Sequence, residues 1–332
     1  MSKLAVIGAG SWGTTFAKVL ADGGSEVALW ARRGEIAEEI NSWHRNGDYL
    51  PGVNLPSSIK ASSDISEVLA GASQVYLSVP SQTLRENLAD WGKLIPTNAL
   101  VVSLMKGVER NTGLRMSQVI AEAEIDASRI VVISGPNLAA EIAAEQPAAS
   151  VAASESLESA KQVASASSNS YFTTFTNTDV IGTEFGGILK NLIAVAIGIV
   201  NGVGYGQNTK ASIMTRGVSE ISRFAVAFGA KPKTMVGLAG LGDLIATSES
   251  PLSRNHKAGE MLGKGYSKRE VLARLSQTAE GLTSVSTILD LARAKGISMP
   301  IVEQVELVIE GKMSPKDIAP HLTNQTEEPQ GE

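Results

Sequence analysis

Short apolar runs rich in β-branched residues alternate with helical patterns along the first half of the chain. Glycine, proline, serine or other polar residues bound each run, as expected of buried strands. The runs are KLAVIG (3–8), EVALWA (26–31), QVYLSVP (74–80), ALVVSL (99–104), RIVVIS (129–134), ASVAAS (149–154) and YFTTFT (171–176). Helical patterns follow Ser11 and Ser81 and include MSQVIAEAE. This alternation predicts βαβ units, and hence a mostly parallel sheet with helices on both faces.

The hydrophobic pattern changes near residue 180, where the β signal fades and long segments with helical periodicity begin. These segments span 184–202, 209–228, 255–263, 283–295 and 300–310. They predict an all-helical second domain. We therefore divide the chain into an α/β domain (1–181), a helical domain (182–322) and a polar tail (323–332), which we expect to be disordered.

Composition narrows the class of protein. A chain of 332 residues is long enough for two hydrophobic cores. The net charge of −5 argues against nucleic acid or an anionic membrane surface as a partner. The absence of cysteine excludes disulfides and thiolate chemistry. The three histidines, His44, His256 and His321, lack metal-ligand spacing, so we predict no metal site. The N-terminal MSKLAVIGAG lacks a secretory pattern, which favours the cytoplasm.

One segment resembles a membrane span, because residues 191–209 carry no formal charge. They include several amides and four glycines, however, and the apolar part is shorter than the roughly 20 residues that cross a bilayer. We therefore expect a buried core helix rather than an integral membrane segment.

The first predicted strand runs directly into GAGSWG, which places Gly8, Gly10 and Gly13 in G-x-G-x-x-G spacing. In that pattern the first glycine permits a tight turn, the second lets the backbone approach a pyrophosphate, and the third lets helix and strand pack closely. The position of the pattern at the first strand of an alternating β/α chain predicts a Rossmann-type, doubly wound dinucleotide-binding domain.

The second strand should end in an acidic residue if NAD is the ligand, because a carboxylate there binds the ribose 2′-hydroxyl. This chain has Arg32 and Arg33 at that end instead. Guanidinium groups suit a 2′-phosphate, so we favour NADPH, with NADH possible.

Two further loops should lie at the same edge of the sheet. Lys106 follows one predicted strand, and Gly135, Pro136 and Asn137 follow the next. Because the carboxyl ends of parallel strands meet at one edge, we expect both loops to border the cofactor. Asn137 is also a suitable helix N-cap.

The stretch GLAGLGDLIATSESPLSRN in the helical half predicts an anion site. Asp243 follows its glycine-rich part, and Ser253, Arg254 and Asn255 open the next helical segment. A serine cap, unpaired backbone N–H groups, an arginine fork and an amide together suit a phosphate. An ordinary helix cap with exposed charge explains the same residues.

Lys190 interrupts the apolar run GGILKNLIAVAIG, where an unpaired ammonium is costly. At helical spacing its stripe contains only small or polar residues: Gly187, Lys190, Ala194, Gly198 and Asn201. Small neighbours leave room for a ligand to approach the ammonium, although close helix–helix packing also explains the glycines.

These blocks together resemble the bacterial NAD(P)-dependent glycerol-3-phosphate dehydrogenases, and the resemblance spans nearly the whole chain. The blocks that carry it, in order, are GAGSWGT, NGDYLPG, SLMKGVE, SGPNLAAE, LKNLIAVAIG, GQNTKASIMTRG, AGLGDLIATSESPLSRN and the Glu–Gly of TAEG. The resemblance implies hydride transfer between NAD(P)H and dihydroxyacetone phosphate, which gives sn-glycerol 3-phosphate for phospholipid synthesis. The sequence does not determine the oligomeric state, and a homodimer is compatible with it.

The resemblance also implies roles for individual residues. Lys190 matches the catalytic lysine of the family. Residues that match substrate contacts are Lys106, Gly135, Asn137, Lys190, Asp243, Ser253, Arg254 and Asn255. Residues that match cofactor contacts, besides the three glycines, are Ser11, Trp12, Arg32, Arg33, Tyr49, Lys106, Ala139, Arg254, Thr278 and Glu280. Three positions depart from the family: Asn137 stands where Ser or Thr is usual, Thr278 stands where Val is usual, and the Ser of ATSESP replaces a residue that is often cysteine.

In this reading, Lys190 stabilises the negative charge that grows on the ketone oxygen and donates the proton. Burial favours the neutral amine and a nearby Asp243 favours the ammonium, and the residues alone leave that balance open. Two other classes remain: a related two-domain reductase of the ketopantoate type, which acts on a carboxylate substrate, and a dinucleotide sensor without catalytic activity.

Overall fold

The computed structural model describes residues 3–275 and 279–319. The chain divides into two compact units, of which the first ends at Glu184 and the second begins at Phe185. Two expectations, the disordered tail at 323–332 and the cofactor contact at Thr278, lie outside the described residues.

The first unit contains an eight-stranded sheet in the order β3-β2-β1-β4-β5-β6-β7-β8. All neighbouring strands are parallel except β6 and β7, which pair in antiparallel register. The strands are β1 Lys3–Ile7, β2 Glu26–Trp30, β3 Ile59–Ser62, β4 Gln74–Leu77, β5 Leu100–Ser103, β6 Ile130–Ser134, β7 Ala148–Ala153 and β8 Phe172–Asn177. The first six have the order of a Rossmann fold, so the predicted fold class is confirmed.

Alternate residues of β1 enter two separate hydrophobic cores, one on each face of the sheet. Leu4 and Val6 pack in the core that contains Phe16. Ala5 and Ile7 pack in the opposite core. Because both faces of β1 are covered, its residues after Lys3 are all apolar rather than alternating, as the sequence KLAVI shows.

Seven helices of the first unit cover these faces. They are α1 Ser11–Asp22, α2 Gly34–Trp43, α3 Ile65–Leu69, α4 Leu84–Trp91, α5 Met116–Ala121, α6 Ala139–Ala143 and α7 Leu157–Ala166. Strand β3 was not predicted, because it has only four residues and one of them, Lys60, is exposed.

The regular elements described from Val180 onwards are all helical, and the five predicted helices are present. They are α8 Val180–Val203, α9 Gln207–Ala227, α12 Arg254–Gly263, α14 Glu280–Ala294 and α15 Pro300–Ile309. Three shorter helices, α10 Pro232–Met235, α11 Asp243–Glu249 and α13 Lys268–Arg274, lie between them. A π-turn at Leu238–Gly242 leads into α11.

Helix α8 is long and apolar enough to cross a membrane, but 83% of its most apolar window is buried inside the structure. Ile193 and Val195 are fully buried, for example. The expectation of a buried core helix is therefore confirmed, and the helix ends at Val203, one residue beyond the predicted segment 184–202.

Helices α8 and α12 pack against each other through glycines from both sides. A Cβ atom at Gly198 would lie 2.2 Å from the carbonyl oxygen of His256, and one at Gly259 would lie 2.2 Å from that of Val195. Gly202 and Gly263 repeat this arrangement one turn further on. The absence of side chains lets the backbones touch, so α12 has a fixed position on α8.

Candidate functional site

The glycine turn after β1 has the geometry that its spacing predicts. Gly8 has a φ of +116°, and a Cβ there would lie 2.6 Å from the carbonyl oxygen of Ser78. A Cβ at Gly13 would lie 1.9 Å from the carbonyl oxygen of Gly8, whereas nothing lies within 4 Å of a Cβ position at Gly10. The outer glycines thus permit tight packing, and the central one leaves the backbone open to a ligand. The turn fits a dinucleotide pyrophosphate.

The N-terminus of α1 is the second part of this cradle. Gly10 is its N-cap and provides no side-chain cap. Such an end presents backbone N–H groups and a partial positive charge to an anion. Trp12 stacks edge-on against Phe16 at 5.4 Å between ring centroids, which anchors the helix start in the core.

A loop after α2 stabilises the glycine turn through contacts that the sequence alone does not predict. The fully buried Asn46 donates from Nδ2 to the carbonyl oxygen of Ala9 at 2.9 Å and to Oγ1 of Thr14 at 2.8 Å. Ser11 donates to the carbonyl oxygen of Tyr49 at 2.6 Å. The NGDYLPG block therefore supports the glycine turn, which gives Tyr49 a position beside it.

The two arginines after β2 have different environments. Arg33 forms an ion pair with Asp48 at 2.5 Å, and its guanidinium lies 5.7 Å from the centre of the Tyr49 ring. The hydrogen bond to Asp48 raises the pKa of Arg33 above its usual value. Arg32 is exposed. Since Asp48 already neutralises Arg33, Arg32 is the stronger candidate for a 2′-phosphate contact.

Lys106 and Gly135 meet at the carboxyl edge of the sheet, as expected for loops after neighbouring parallel strands. The Lys106 ammonium donates to the carbonyl oxygen of Gly135 at 2.9 Å. A Cβ at Gly135 would lie 3.0 Å from the Cα of Ser150, so a larger residue would push this loop away from β7.

Asn137 does not cap the following helix, and that prediction is wrong. The N-cap of α6 is Leu138, which provides no side-chain cap, and the helix begins at Ala139. Oδ1 of Asn137 instead accepts a hydrogen bond from Ser150 at 3.1 Å. The side chain is drawn toward β7 because that antiparallel strand lies next to β6.

The chemically distinctive group of the second unit is a buried ion pair. The Lys190 ammonium donates to Oδ1 of Asp243 at 2.8 Å and to Oγ1 of Thr247 at 2.5 Å. Thr247 in turn donates to the same carboxylate oxygen at 3.2 Å. Lys190 is 6% exposed and Asp243 1% exposed. A pair this deeply buried must be well aligned to offset the loss of hydration.

Glycines and the π-turn bring Asp243 to Lys190. A Cβ at Gly186 on α8 would lie 2.5 Å from the carbonyl oxygen of Ala239, so the turn packs directly on that helix. Gly240 similarly packs against the backbone of Met235. Helix α11 then starts at Asp243, and Thr247 follows one turn later on the same face.

The start of α12 has the predicted cap. Ser253 is the N-cap, and its hydroxyl accepts the backbone N–H of His256 at 3.2 Å. Arg254 is exposed at the first helical position. This end combines backbone donors with a guanidinium, which is a suitable environment for a phosphate.

Asn255, which the sequence suggests as a ligand contact, holds helices together in the structure. It is buried, its Nδ2 donates to Oδ1 of Asn191 at 2.7 Å, and its Oδ1 accepts the backbone N–H of Gly281 at 2.9 Å. The amide thereby joins α12 to α8 and to the start of α14, where Glu280 is the first residue. An amide nitrogen carries two N–H groups, and the Asn191 contact uses one of them.

The small residues in the Lys190 stripe do not all leave space for a ligand. Helix α12 fills the space beside Gly198, and Asn201 accepts a hydrogen bond from Lys210 at 2.7 Å. Close helix–helix packing, the alternative explanation, thus accounts for these two positions.

Two residues of this site, Thr247 and Asn191, were not predicted from the sequence. Thr247 lies four residues after Asp243, and Asn191 directly follows Lys190. Helical spacing from Asp243 could have indicated Thr247. Nothing local indicates the pairing of Asn191 with Asn255, since the two are distant in sequence.

The arrangement can transfer a proton. A lysine ammonium held by a carboxylate and a hydroxyl is a fixed donor to an oxygen atom on which negative charge develops. Thr247 and Asp243 restrict its orientation, and the nearby start of α12 suits an anionic group of the same substrate.

Models of known protein families match both halves of the chain. The N-terminal model of NAD-dependent glycerol-3-phosphate dehydrogenase matches residues 3–160, and the C-terminal model matches residues 179–320. Glycerol-3-phosphate dehydrogenase [NAD(P)+] from Leifsonia xyli subsp. xyli is 62% identical over 328 residues, which cover 98% of this chain and 89% of that protein.

Solved structures agree. The crystal structure of glycerol-3-phosphate dehydrogenase from Coxiella burnetii superposes with a TM-score of 0.92 at 34% identity and covers 98% of this chain and 99% of that one. A ketopantoate reductase of the PanE/ApbA family from Ralstonia eutropha gives a TM-score of 0.59 at 16% identity, with 97% and 100% covered. That second likeness shows a shared fold and nothing further.

Proposed function

This chain belongs to the NAD-dependent glycerol-3-phosphate dehydrogenase family, and on that premise we propose that it interconverts dihydroxyacetone phosphate and sn-glycerol 3-phosphate. The cofactor is NADPH or NADH, in agreement with the [NAD(P)+] specificity in the name of the Leifsonia relative. The observation that carries the proposal is the buried Lys190 ammonium with Asp243 and Thr247.

The second unit activates the carbonyl. As the ketone is reduced, negative charge develops on its oxygen, and the Lys190 ammonium stabilises this charge and then donates a proton to form the alcohol. In the reverse direction the neutral amine accepts the proton. Asp243 keeps the amine oriented, and Thr247 restricts it further. The nicotinamide, when bound, supplies or accepts the hydride at the carbonyl carbon.

The start of α12 holds the phosphate of the substrate in this proposal. Backbone N–H groups behind the Ser253 cap and the exposed Arg254 guanidinium provide donors for its oxygens. Binding energy from the phosphate, which does not react, then orients the ketone relative to Lys190.

The first unit holds the cofactor. The glycine turn and the start of α1 bind the pyrophosphate, and Lys106 and Gly135 border the nicotinamide end. Arg32 contacts the 2′-phosphate, which gives a preference for NADPH over NADH. In this scheme Ser11, Trp12, Tyr49 and Ala139 complete the cofactor contacts of the first unit.

The cellular setting forms part of the same proposal. We assign the enzyme to the cytoplasm, as a homodimer that supplies glycerol phosphate for phospholipid synthesis. Several large apolar side chains of the second unit are exposed, Val236 at 59% and Leu252 at 49% among them, which supports self-association. Light scattering after size-exclusion chromatography tests the dimer, and a single-chain mass contradicts it.

An NADPH-oxidation assay tests the reaction. Dihydroxyacetone phosphate, ketopantoate and dihydroxyacetone are compared at equal concentration, and each is repeated with NADH. We expect turnover with the phosphorylated ketone and little with the other two. Preferential turnover of ketopantoate indicates the carboxylate-specific class, and NADPH binding without turnover of any ketone indicates a sensor.

A further inference from the structure

The loop between α2 and β3 brings a carboxylate to the end of β2. The side chain of Asn46 donates to a carbonyl oxygen of the glycine turn at 2.9 Å, and the carbonyl oxygen of Tyr49 accepts from the first residue of α1 at 2.6 Å. Asp48 lies between these two attachments, so the loop holds it beside the turn. Its carboxylate forms an ion pair with Arg33, which follows β2, at 2.5 Å.

The end of β2 is the place where an NAD-binding domain has an acidic residue. It adjoins the glycine turn, because the backbone N–H of Gly8 donates to the carbonyl oxygen of Trp30 at 3.2 Å. An acidic residue there binds the ribose 2′-hydroxyl of NAD, but in this chain Arg32 and Arg33 follow the strand. Asp48 supplies a carboxylate to the same place from a different loop.

The ion pair of Arg33 and Asp48 is open to solvent and can be exchanged. The side chain of Arg33 is 42% exposed and that of Asp48 is 59% exposed. Such pairs contribute little to stability, because water screens the charges and two mobile side chains must be ordered. A 2′-phosphate has about −1.5 to −2 charges near pH 7 and three acceptor oxygens, so it competes with the single charge of Asp48 for the guanidinium.

We propose that Asp48 is a second determinant of nucleotide preference, beside Arg32. Its carboxylate accepts a hydrogen bond from the ribose 2′-hydroxyl of NADH, and it holds Arg33 away from the 2′-phosphate of NADPH. Arg32 remains available to that phosphate, so NADPH still binds. This inference rests on the proposed function, to which it adds the residue that keeps NADH as an alternative cofactor.

Titration calorimetry with NADP⁺ and NAD⁺, at one pH and one ionic strength, tests this role without turnover. The Asp48→Asn variant removes the charge and keeps the size of the side chain. We expect NADP⁺ to bind about threefold to tenfold more tightly, because Arg33 is released, and NAD⁺ to bind more weakly by a similar factor, because a neutral amide is a weaker acceptor. The ratio of the two affinities should therefore rise about tenfold or more.

The Glu35→Gln variant is the matched control. It also removes one negative charge near Arg33, but the Glu35 carboxylate lies 3.9 Å from the guanidinium and belongs to α2 rather than to the loop. The ratio of affinities should stay within about twofold of the wild-type value in this variant. An equal rise in both variants means general electrostatic attraction and overturns the proposal, as does an unchanged ratio in Asp48→Asn.

The Arg33→Ala background separates the two effects of Asp48. Adding Asp48→Asn to Arg33→Ala should give little further gain in NADP⁺ affinity, whereas the loss of NAD⁺ affinity should persist. A full gain without Arg33 contradicts the restraint on that guanidinium, and weaker binding of both nucleotides to Asp48→Asn assigns the residue a structural role and overturns the proposal. These titrations contain no ketone, so the assay with dihydroxyacetone phosphate decides the proposed function separately.

Discussion

Individual residues carry the chemistry, and Lys190 shows how tightly one is constrained. Its ammonium has a carboxylate and a hydroxyl as partners at 2.8 and 2.5 Å, in a setting where water is largely excluded. A side chain in this environment serves as a proton donor only while Asp243 is present, because an isolated buried charge is unstable.

Replacement of Lys190 by methionine should reduce kcat by about 10²–10⁴-fold, because the proton donor is lost while the apolar stem is retained. It also leaves Asp243 without its cation, at a cost of about 3–5 kcal/mol in stability. Steady-state kinetics, NADPH titration and thermal unfolding measure these effects.

The double variant Lys190→Met/Asp243→Asn provides the matched control. It removes both charges, so much of the stability should return while turnover stays low. Near-normal turnover in either variant would end the lysine mechanism.

Arg32 should decide cofactor preference, because Arg33 is already paired with Asp48. We expect Arg32→Ala to raise the KM for NADPH about tenfold, as loss of one charge-assisted contact implies, and to leave the KM for NADH unchanged. Kinetics with both cofactors give the answer, with the exposed Lys60→Ala as control. Equal effects on NADH and NADPH would assign Arg32 a structural role.

At the scale of elements, the glycine contact between α8 and α12 sets the distance between the lysine and the phosphate end. The Gly198→Ala substitution places a methyl group 2.2 Å from the backbone oxygen of His256, so α12 must move. We expect a loss of about 3 kcal/mol in stability and a raised substrate KM.

Urea unfolding and kinetics measure both effects of Gly198→Ala. Gly206→Ala is the control, because nothing lies within 4 Å of its Cβ position. A stable Gly198→Ala variant with normal KM contradicts the packing account.

The start of α15 depends on a second buried carboxylate. Glu220 of α9 is 1% exposed and accepts the backbone N–H groups of Ile301 and Val302 at 2.9 and 3.0 Å. Burial raises the pKa of Glu220 to about 7, against the lowering effect of these hydrogen bonds.

Stability should therefore depend on pH through Glu220. The unfolded carboxyl ionises near its usual pKa of 4.5, below the folded value of about 7, so the contribution of Glu220 to stability decreases as pH rises between them. The total change is about 3 kcal/mol. Urea midpoints from pH 5 to 8 should show the stability advantage of the wild type over Glu220→Gln shrinking as pH rises. A pH-independent difference, equal to that for the exposed Glu38→Gln, contradicts this.

At the scale of the whole molecule, an acidic protein binds anionic ligands through a few placed cations. The KM for dihydroxyacetone phosphate should rise severalfold from low to high NaCl concentration, because salt screens exposed charges such as Arg254. The KM for uncharged dihydroxyacetone, where measurable, serves as the control. A salt-independent KM for the phosphate ester would mean that buried groups alone bind it.

Many of the strands and helices can be predicted from the local pattern of apolar and polar residues. Strands such as KLAVI and helices such as α8 are recognisable because both depend on buried apolar surface with a simple period. The glycine turn was also predictable, since its spacing reflects backbone contacts. Short elements such as β3 were not, because four residues carry too little periodicity.

The parts of the site that could not be predicted from the sequence depend on tertiary contacts. Asn191 and Asn255 pair across two helices that glycines bring together, and Asn137 turns toward a strand whose direction is reversed. No local propensity encodes such pairings. Such contacts can be identified only when the positions of the neighbouring helices and strands are known.

The immediate partners of the Lys190 ammonium, Asp243 and Thr247, are encoded by the same unit as the lysine itself. Recombination that replaces residues 1–184 with the corresponding part of another dehydrogenase would keep this trio together. Arg32, which we expect to set nucleotide preference, and the acid–base group around Lys190 are therefore encoded by separate gene segments, and a chimera with a different residue at position 32 would inherit an intact acid–base group.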